Sequence, residues 1–158
     1  MSAYTAIASQ TLGSSASSVT FSSIPGTFRD LVIVLRFTAS DGNIFPAMTF
    51  NSDTGANYNL VRMDGNGSSA DSGTASGNSQ FNIFGGFATS GRNFMATYNV
   101  MDYSQTNKHK SMLGREDDAA GSVSARAYRW ASTAAITTIT FGGTYPAGST
   151  FSLYGVSA

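Results

Sequence analysis

Along residues 30–40 apolar and polar side chains alternate with a period of two, which places Leu31, Ile33, Leu35 and Phe37 on one face of a strand and Val32, Val34, Arg36 and Thr38 on the other. Because the first half is apolar on both faces, this strand is either central in the fold or covered on its second face by a neighbouring subunit. Residues 92–103 repeat the pattern, with Phe94, Ala96, Tyr98 and Val100 opposite Met95, Thr97, Asn99, Met101 and Tyr103. Shorter strand signals fall at 4–12, 19–21, 47–51, 58–63, 80–84, 108–114, 123–130, 135–141 and 150–156. About ten short strands at turn-bounded spacing predict an all-β fold, an antiparallel β-sandwich of jelly-roll-like type. Its core is expected to include Phe21, Leu31, Ile33, Leu35, Phe37, Phe94, Tyr98, Trp130, Ile136, Ile139, Phe151 and Leu153.

Two segments depart from the pattern. Gly13-Ser14-Ser15-Ala16-Ser17-Ser18 has linker composition, so residues 1–18 are read as an N-terminal strand or extended arm ahead of a single sandwich domain, 19–158. Residues 64–79 are almost devoid of apolar side chains and read as a long surface loop, mobile or ordered by a partner. With 2–18, this loop is the predicted partner-facing surface.

Composition sharpens the picture. Ser and Thr make up roughly a quarter of the 158 residues and Glu occurs once, at Glu116, which disfavours helix and favours strands and turns. Charged residues are 11% of the chain and balance to zero, a surface poorly suited to a free monomer and suited to burial in an assembly. There is no basic excess for binding nucleic acid, and no apolar run of membrane-spanning length. The first residues lack the basic and apolar regions of a signal peptide, so synthesis in a cytoplasm without export is expected. Cysteine is absent, which removes disulfides, thiolate catalysis and cysteine metal sites.

Candidate chemistry is sparse. The single histidine, His109, lies between Lys108 and Lys110 with no sequence cue for an orienting carboxylate, and reads as a surface histidine on a basic strand. Asp64-Gly65-Asn66-Gly67-Ser68 spaces oxygens as a calcium loop does. The twelve-residue register nevertheless puts Ser69 where the turn glycine belongs and Ala75 where the bidentate glutamate belongs, so a Gly/Asn turn is expected. Glu116-Asp117-Asp118 reads as a solvated acidic hairpin tip. No catalytic, cofactor-binding or metal-ligating residue is assigned, no cofactor is expected, and the chain is read as a non-enzyme.

Three segments carry a resemblance. They are the run from Val19 through Ile24-Pro25-Gly26 to Leu31, the stretch Asn51-Ser52-Asp53-Thr54-Gly55-Ala56-Asn57-Tyr58 followed by Gly65-Asn66-Gly67-Ser68-Ser69, and the closing strands from Trp130 to Leu153-Tyr154-Gly155-Val156. Together they resemble a family of small tailed-phage virion proteins with TFssIP, NY and fsLYG elements. The chain departs from that pattern at Gly26, often Gln there, and at Phe28 and Phe37, positions often held by Tyr and a polar residue. The resemblance implies a β-sandwich on a phage particle. A capsid decoration (cement) protein on the outer capsid surface, assembled in the host cytoplasm, fits the short chain and its lack of stalk heptads better than a fibre does. The implied partner is the major capsid protein, a homotrimer is expected from symmetry matching, and neither nucleic acid nor membrane is a partner. The alternative is a tail-fibre or receptor- and carbohydrate-binding module, for which Tyr145 and Phe45, beside Pro146 and Pro46, are the candidate loop aromatics.

Overall fold

The computed structural model describes residues 3–39, 46–86, 91–118 and 121–157. The described chain forms β1 (Tyr4–Thr11), β2 (Ala16–Phe21), β3 (Asp30–Thr38), β4 (Ala47–Phe50), β5 (Tyr58–Gly65), β6 (Ala70–Asn78), β7 (Phe81–Asn82), β8 (Asn93–Met101), β9 (Lys110–Asp118), β10 (Val123–Trp130), β11 (Ile139–Tyr145) and β12 (Thr150–Val156). A 3-10 turn spans Ile83–Gly86. All the pairings are antiparallel. One sheet has eight strands in the order β1-β12-β3-β8-β9-β10-β5-β6, and the other has four in the order β2-β11-β4-β7.

The two orders explain the jelly-roll character. In each of β1/β2, β12/β11, β3/β4 and β8/β7, consecutive strands of the chain fall in different sheets, and the four pairs follow the same sequence across both layers. The links at one end are tied together, with Leu12 N–H donating to Ser149 O at 2.9 Å and Gly148 N–H to Leu12 O at 2.7 Å. Of the segment read as 1–18, the described residues 3–18 contribute an edge strand and the start of β2. Tyr4–Thr11 lies along β12, and position 18 falls inside β2.

The alternation that predicts the strands also selects the core. Leu31, Ile33, Leu35 and Phe37 of β3 are all buried, and β3 is interior to the large sheet. The two layers meet through aromatic rings: Phe141 packs on Phe21 and Phe151, Tyr145 on Phe37 and Phe151, and Phe81 on Phe50, Tyr58 and Tyr128. Fully burying such rings is the main stabilising contribution of a sandwich this size.

The segments that carry the family resemblance hold the fold. Asn51 and Ser52 adopt positive φ at a turn, and Asn51 Oδ1 accepts from Thr137 N–H and Thr138 N–H at 2.9 and 3.1 Å. Asp53 accepts from Trp130 Nε1–H at 2.6 Å, Gly55 N–H at 2.8 Å and Asn57 Nδ2–H at 2.8 Å, so the turn is fastened to the end of β10. Near Pro25, the Tyr103 hydroxyl donates to Pro25 O and accepts from Phe28 N–H. The terminal Leu-Tyr-Gly has a steric reason: a Cβ on Gly155 would come within 2.3 Å of the Phe28 ring. An aromatic laid over a strand glycine fills the space of the missing side chain.

Several boundaries differ from expectation. Residues 64–79 are not a long loop, because β5 runs to Gly65, a tight turn follows, and Ala70–Asn78 pairs with β5 as β6. In that turn Asn66 Oδ1 accepts from Ser68 N–H and Ser69 N–H at 3.0 and 2.8 Å, and Gly67 takes φ 85°. The strand expected at 108–114 runs Lys110–Asp118, and the one expected at 135–141 runs Ile139–Tyr145.

Candidate binding face

The eight-stranded sheet has two faces of opposite character. On its inner side the four-stranded sheet ends in the two-residue strand β7, and beyond it a polar network replaces aromatic packing. Glu116 accepts from the Tyr98 hydroxyl at 2.9 Å, the Tyr128 hydroxyl at 2.6 Å and Phe84 N–H at 2.8 Å. Arg126 Nε lies 2.9 Å from Glu116 Oε2 as an ion pair, without the alignment of a hydrogen bond. The chain of charges continues through Asp64 and Arg62 to Asp71, and side-chain exposure grows from 2% at Glu116 and 5% at Arg126 to 68% at Asp71.

Burial pushes the Glu116 carboxyl above its ordinary range, against the opposing pull of Arg126, Tyr128, Tyr98 and the Phe84 N–H. Burial, reinforced by the Glu116 charge, raises both phenols well above theirs. Glu116 is thus not part of a solvated hairpin tip, as its acidic neighbours suggested. Strand alternation places it inward beside Gly114 and Met112, and donors from three other segments satisfy it. Three donors converge on the one carboxylate, so the cluster ties β8, β9, β10 and the segment at Phe84 together.

The outer face is a different surface. Register aligns its side chains in transverse rows: Val34, Thr97, Arg115, Ala125 and Met63 in one, and Val32, Asn99, Leu113, Ala127 and Val61 in the next. A third row holds Arg36, Met95, Asp117 and Val123. Met63 and Val123 are 63% and 62% exposed, and Val61, Leu113 and Met95 are each at least half exposed. A groove of about 590 Å³ is lined by Met63, Met95, Thr97, Arg115, Val123 and Ala125 among others. A second, of about 390 Å³, adjoins it through Met63, Arg115 and Ala125. Contiguous exposed apolar side chains of this kind make this face the candidate interaction surface.

The residues singled out in the sequence lie elsewhere. Tyr145 is fully buried and donates to Gly142 O at 3.0 Å, so it is not a loop aromatic open to a ligand; Phe45 lies outside the described residues. His109 is exposed, with Arg129 Nε and Nη2 at 3.2 and 2.8 Å from its Nδ1. Its neighbour Lys110 turns inward and donates to the carbonyls of Gln105, Lys108 and Thr133. Asp64, first oxygen of the calcium-like spacing, is taken by Arg62 and Arg126. Among the described residues no group of three or more His, Asp or Glu side chains is arranged to hold a metal. The outer face itself was legible only as the second side of each alternating strand: Met95, Thr97, Asn99 and Met101 share it on β8, and Leu113 and Val61 sit at matching positions on β9 and β5.

No protein-family model and no curated protein matches the chain. Similar solved structures include the Caenorhabditis elegans galectin LEC-6, at 10% identity and TM-score 0.40, covering 95% of this chain and 96% of that one. The PL-14 alginate lyase of Aplysia kurodai is similar at 8% identity and TM-score 0.35, covering 84% and 71% of the two chains. The alginate lyase Aly36B is similar at 14% identity and TM-score 0.38, covering 94% and 77%.

Proposed function

We propose that this chain is a non-enzymatic structural protein of a tailed-phage particle, a decoration protein that sits on the outer surface of the head as a trimer and bridges neighbouring capsid subunits. The observation that carries this reading is the exposed apolar outer face of the large sheet, on a chain with only 11% charged residues. Such a face is costly in water and stabilising once covered by a protein partner. The sequence elements that resemble tailed-phage virion proteins supply the particle. The role is mechanical: separating two capsid subunits then also requires breaking the contacts of the bridging protein, and many such clamps on one shell act together. A standard interface of about 1,600 Å² is compatible with affinities from micromolar to picomolar, so occupancy is set by the quality of the contacts.

The test compares heads carrying and lacking the protein under heating, with gold-labelled antibody locating it on the particle. A higher rupture temperature with the protein present, and label over the head, is the expected result. Equal rupture temperatures together with label on the tail overturn it.

A carbohydrate- or receptor-binding module of the virion is the second reading. What favours it is the β1–β12 side of the outer face, where Tyr4 and Tyr154 flank Thr97, Asn99 and Arg115 around a groove of about 310 Å³. Aromatic faces beside amide, hydroxyl and guanidinium groups suit a sugar. Saturable glycan binding lost in Tyr154→Ala, with no effect of the protein on head stability, would promote that reading.

A further inference from the structure

The seven arginines divide by position. Arg29, Arg62, Arg92 and Arg126 each have a carboxylate partner. Arg36, Arg115 and Arg129 form no ion pair among the described residues, and all three stand on the outer face of the large sheet. In the rows of Arg36 and Arg115 the acid is Asp117, two positions along β9 from Arg115 and not in ion-pair contact with it; Asp30, in line with the row of Arg129, pairs with Arg29. A chain whose net charge is zero therefore presents a locally cationic face. Unpaired guanidinium groups set among apolar side chains call for an anionic partner.

The shape of the face narrows what that partner is. On β10 two successive outward positions are Ala127 and Ala125. Their neighbours in register are larger: Leu113 and Arg115 on β9, Val61 and Met63 on β5. The alanines floor a channel running along β10, the longer side chains wall it, and Val123 closes one end. Alternate residues of an extended chain lie about 7 Å apart, the spacing of Ala127 and Ala125 themselves. An extended segment laid along this channel would set one side chain at the level of Leu113 and Val61 and the next inward one at the level of Arg115 and Met63.

Resting on the reading that the chain works by docking, we infer that the channel along β10 receives an extended segment of a partner protein in which an aliphatic residue and an Asp or Glu stand two apart. The aliphatic side chain seats between Leu113 and Val61 above Ala127, and the carboxylate pairs with Arg115 above Ala125. Specificity comes from the arginine: an apolar partner would leave it desolvated without a counter-charge.

The test uses the whole protein with methyl-labelled methionines and two capped peptides, Ser-Leu-Ser-Asp-Ser and its Asn counterpart. The Met63 methyl signal reports the channel, and the buried Met48 and Met112 serve as internal references. Saturable movement of Met63, about fivefold tighter for the Asp peptide, is expected, as is loss of that preference in Arg115→Gln. Ala127→Leu, which fills the channel floor, weakens both peptides alike. Equal binding of the two peptides, or no movement of Met63 with either, overturns the inference. In parallel, wild type and Arg115→Gln are bound to heads lacking the protein. Occupancy equal in both overturns the inference for the native partner, whereas failure of wild type to bind heads counts against the decoration reading and leaves the peptide result standing.

Discussion

On the inner face of the large sheet Glu116 is held by two phenols, a backbone N–H and an arginine; one residue earlier, on the outer face, Arg115 has no carboxylate partner among the described residues. The same contrast separates the two faces as wholes. Inside, aromatic rings interlock and Glu116 is held by three donors; outside, Met63, Met95, Leu113, Val61 and Val123 are exposed, near arginines that form no ion pair among the described residues. The inner face carries the packing that stabilises the fold, and the proposed docking role falls to the outer one.

The sharpest way to break this comparison is to remove each charge in turn. Glu116→Ala takes from buried Arg126 the nearer of its two carboxylates, leaving Asp64, and strips two buried phenols of their acceptor; it is expected to cost about 3–5 kcal/mol in urea unfolding, while Arg115→Ala stays within about 0.5 kcal/mol. Equal losses would dissolve the distinction. On β3 the same test runs without charge: Ile33→Ala is expected to lose about 2–5 kcal/mol, and Val34→Ala, on the outer side, less than about 1 kcal/mol. A loss below about 1 kcal/mol for Ile33→Ala would remove it from a well-packed core. Trp130→Phe removes the hydrogen bond to Asp53 together with one ring of the buried indole, with an expected cost of about 1.5–3 kcal/mol at neutral pH.

The acid–base behaviour should divide as well. The Trp130 N–H, followed by the Gly55 N–H, holds the Asp53 carboxyl below its usual 3.8, so in that window the unfolded chain binds more protons; Asp53 stabilises the fold above about pH 3.8, and its contribution is lost as pH falls through its lower folded value. Glu116 works in the other direction. Burial raises its folded value above 4.5, the folded chain binds more protons there, and stability declines as pH rises from about 4.5 through that raised value. In a pH series of urea midpoints, Trp130→Phe is expected to flatten the acid-side rise and Glu116→Gln the later decline. A Glu116→Gln profile parallel to wild type would show that the carboxylate is not desolvated. The smallest expected effect is that of Leu113→Ser, within about 0.5 kcal/mol of wild type, since its side chain is already in solvent.

Much of the fold was legible in the chain. All twelve residues expected in the core are buried, from Phe21 to Leu153, because alternation on a strand states which side chains share a side and apolar character states which side is inside. The strand β6 was not legible: Ala70–Asn78 has no large apolar member, and it is a strand because β5 offers it an open edge, through backbone hydrogen bonds that need no particular side chain. Glu116 was misread for a related reason. Its acidic neighbours suggest solvent, and the groups that make its burial tolerable lie on β8, on β10 and at Phe84, up to 32 positions away.

The sequence by itself determined that this protein is an antiparallel sandwich without cysteine chemistry, with a strongly alternating strand from residue 30 and an aromatic core, because those properties follow from local periodicity and residue type. Only the tertiary structure decided which strands lie side by side and in what register. It paired Glu116 with Arg126 inside, and it aligned Arg115, Met63 and the two alanines of β10 on the side left open. The physical reason is that burial and charge pairing are properties of neighbours in space, and in a sheet of crossing connections those neighbours come from distant parts of the chain.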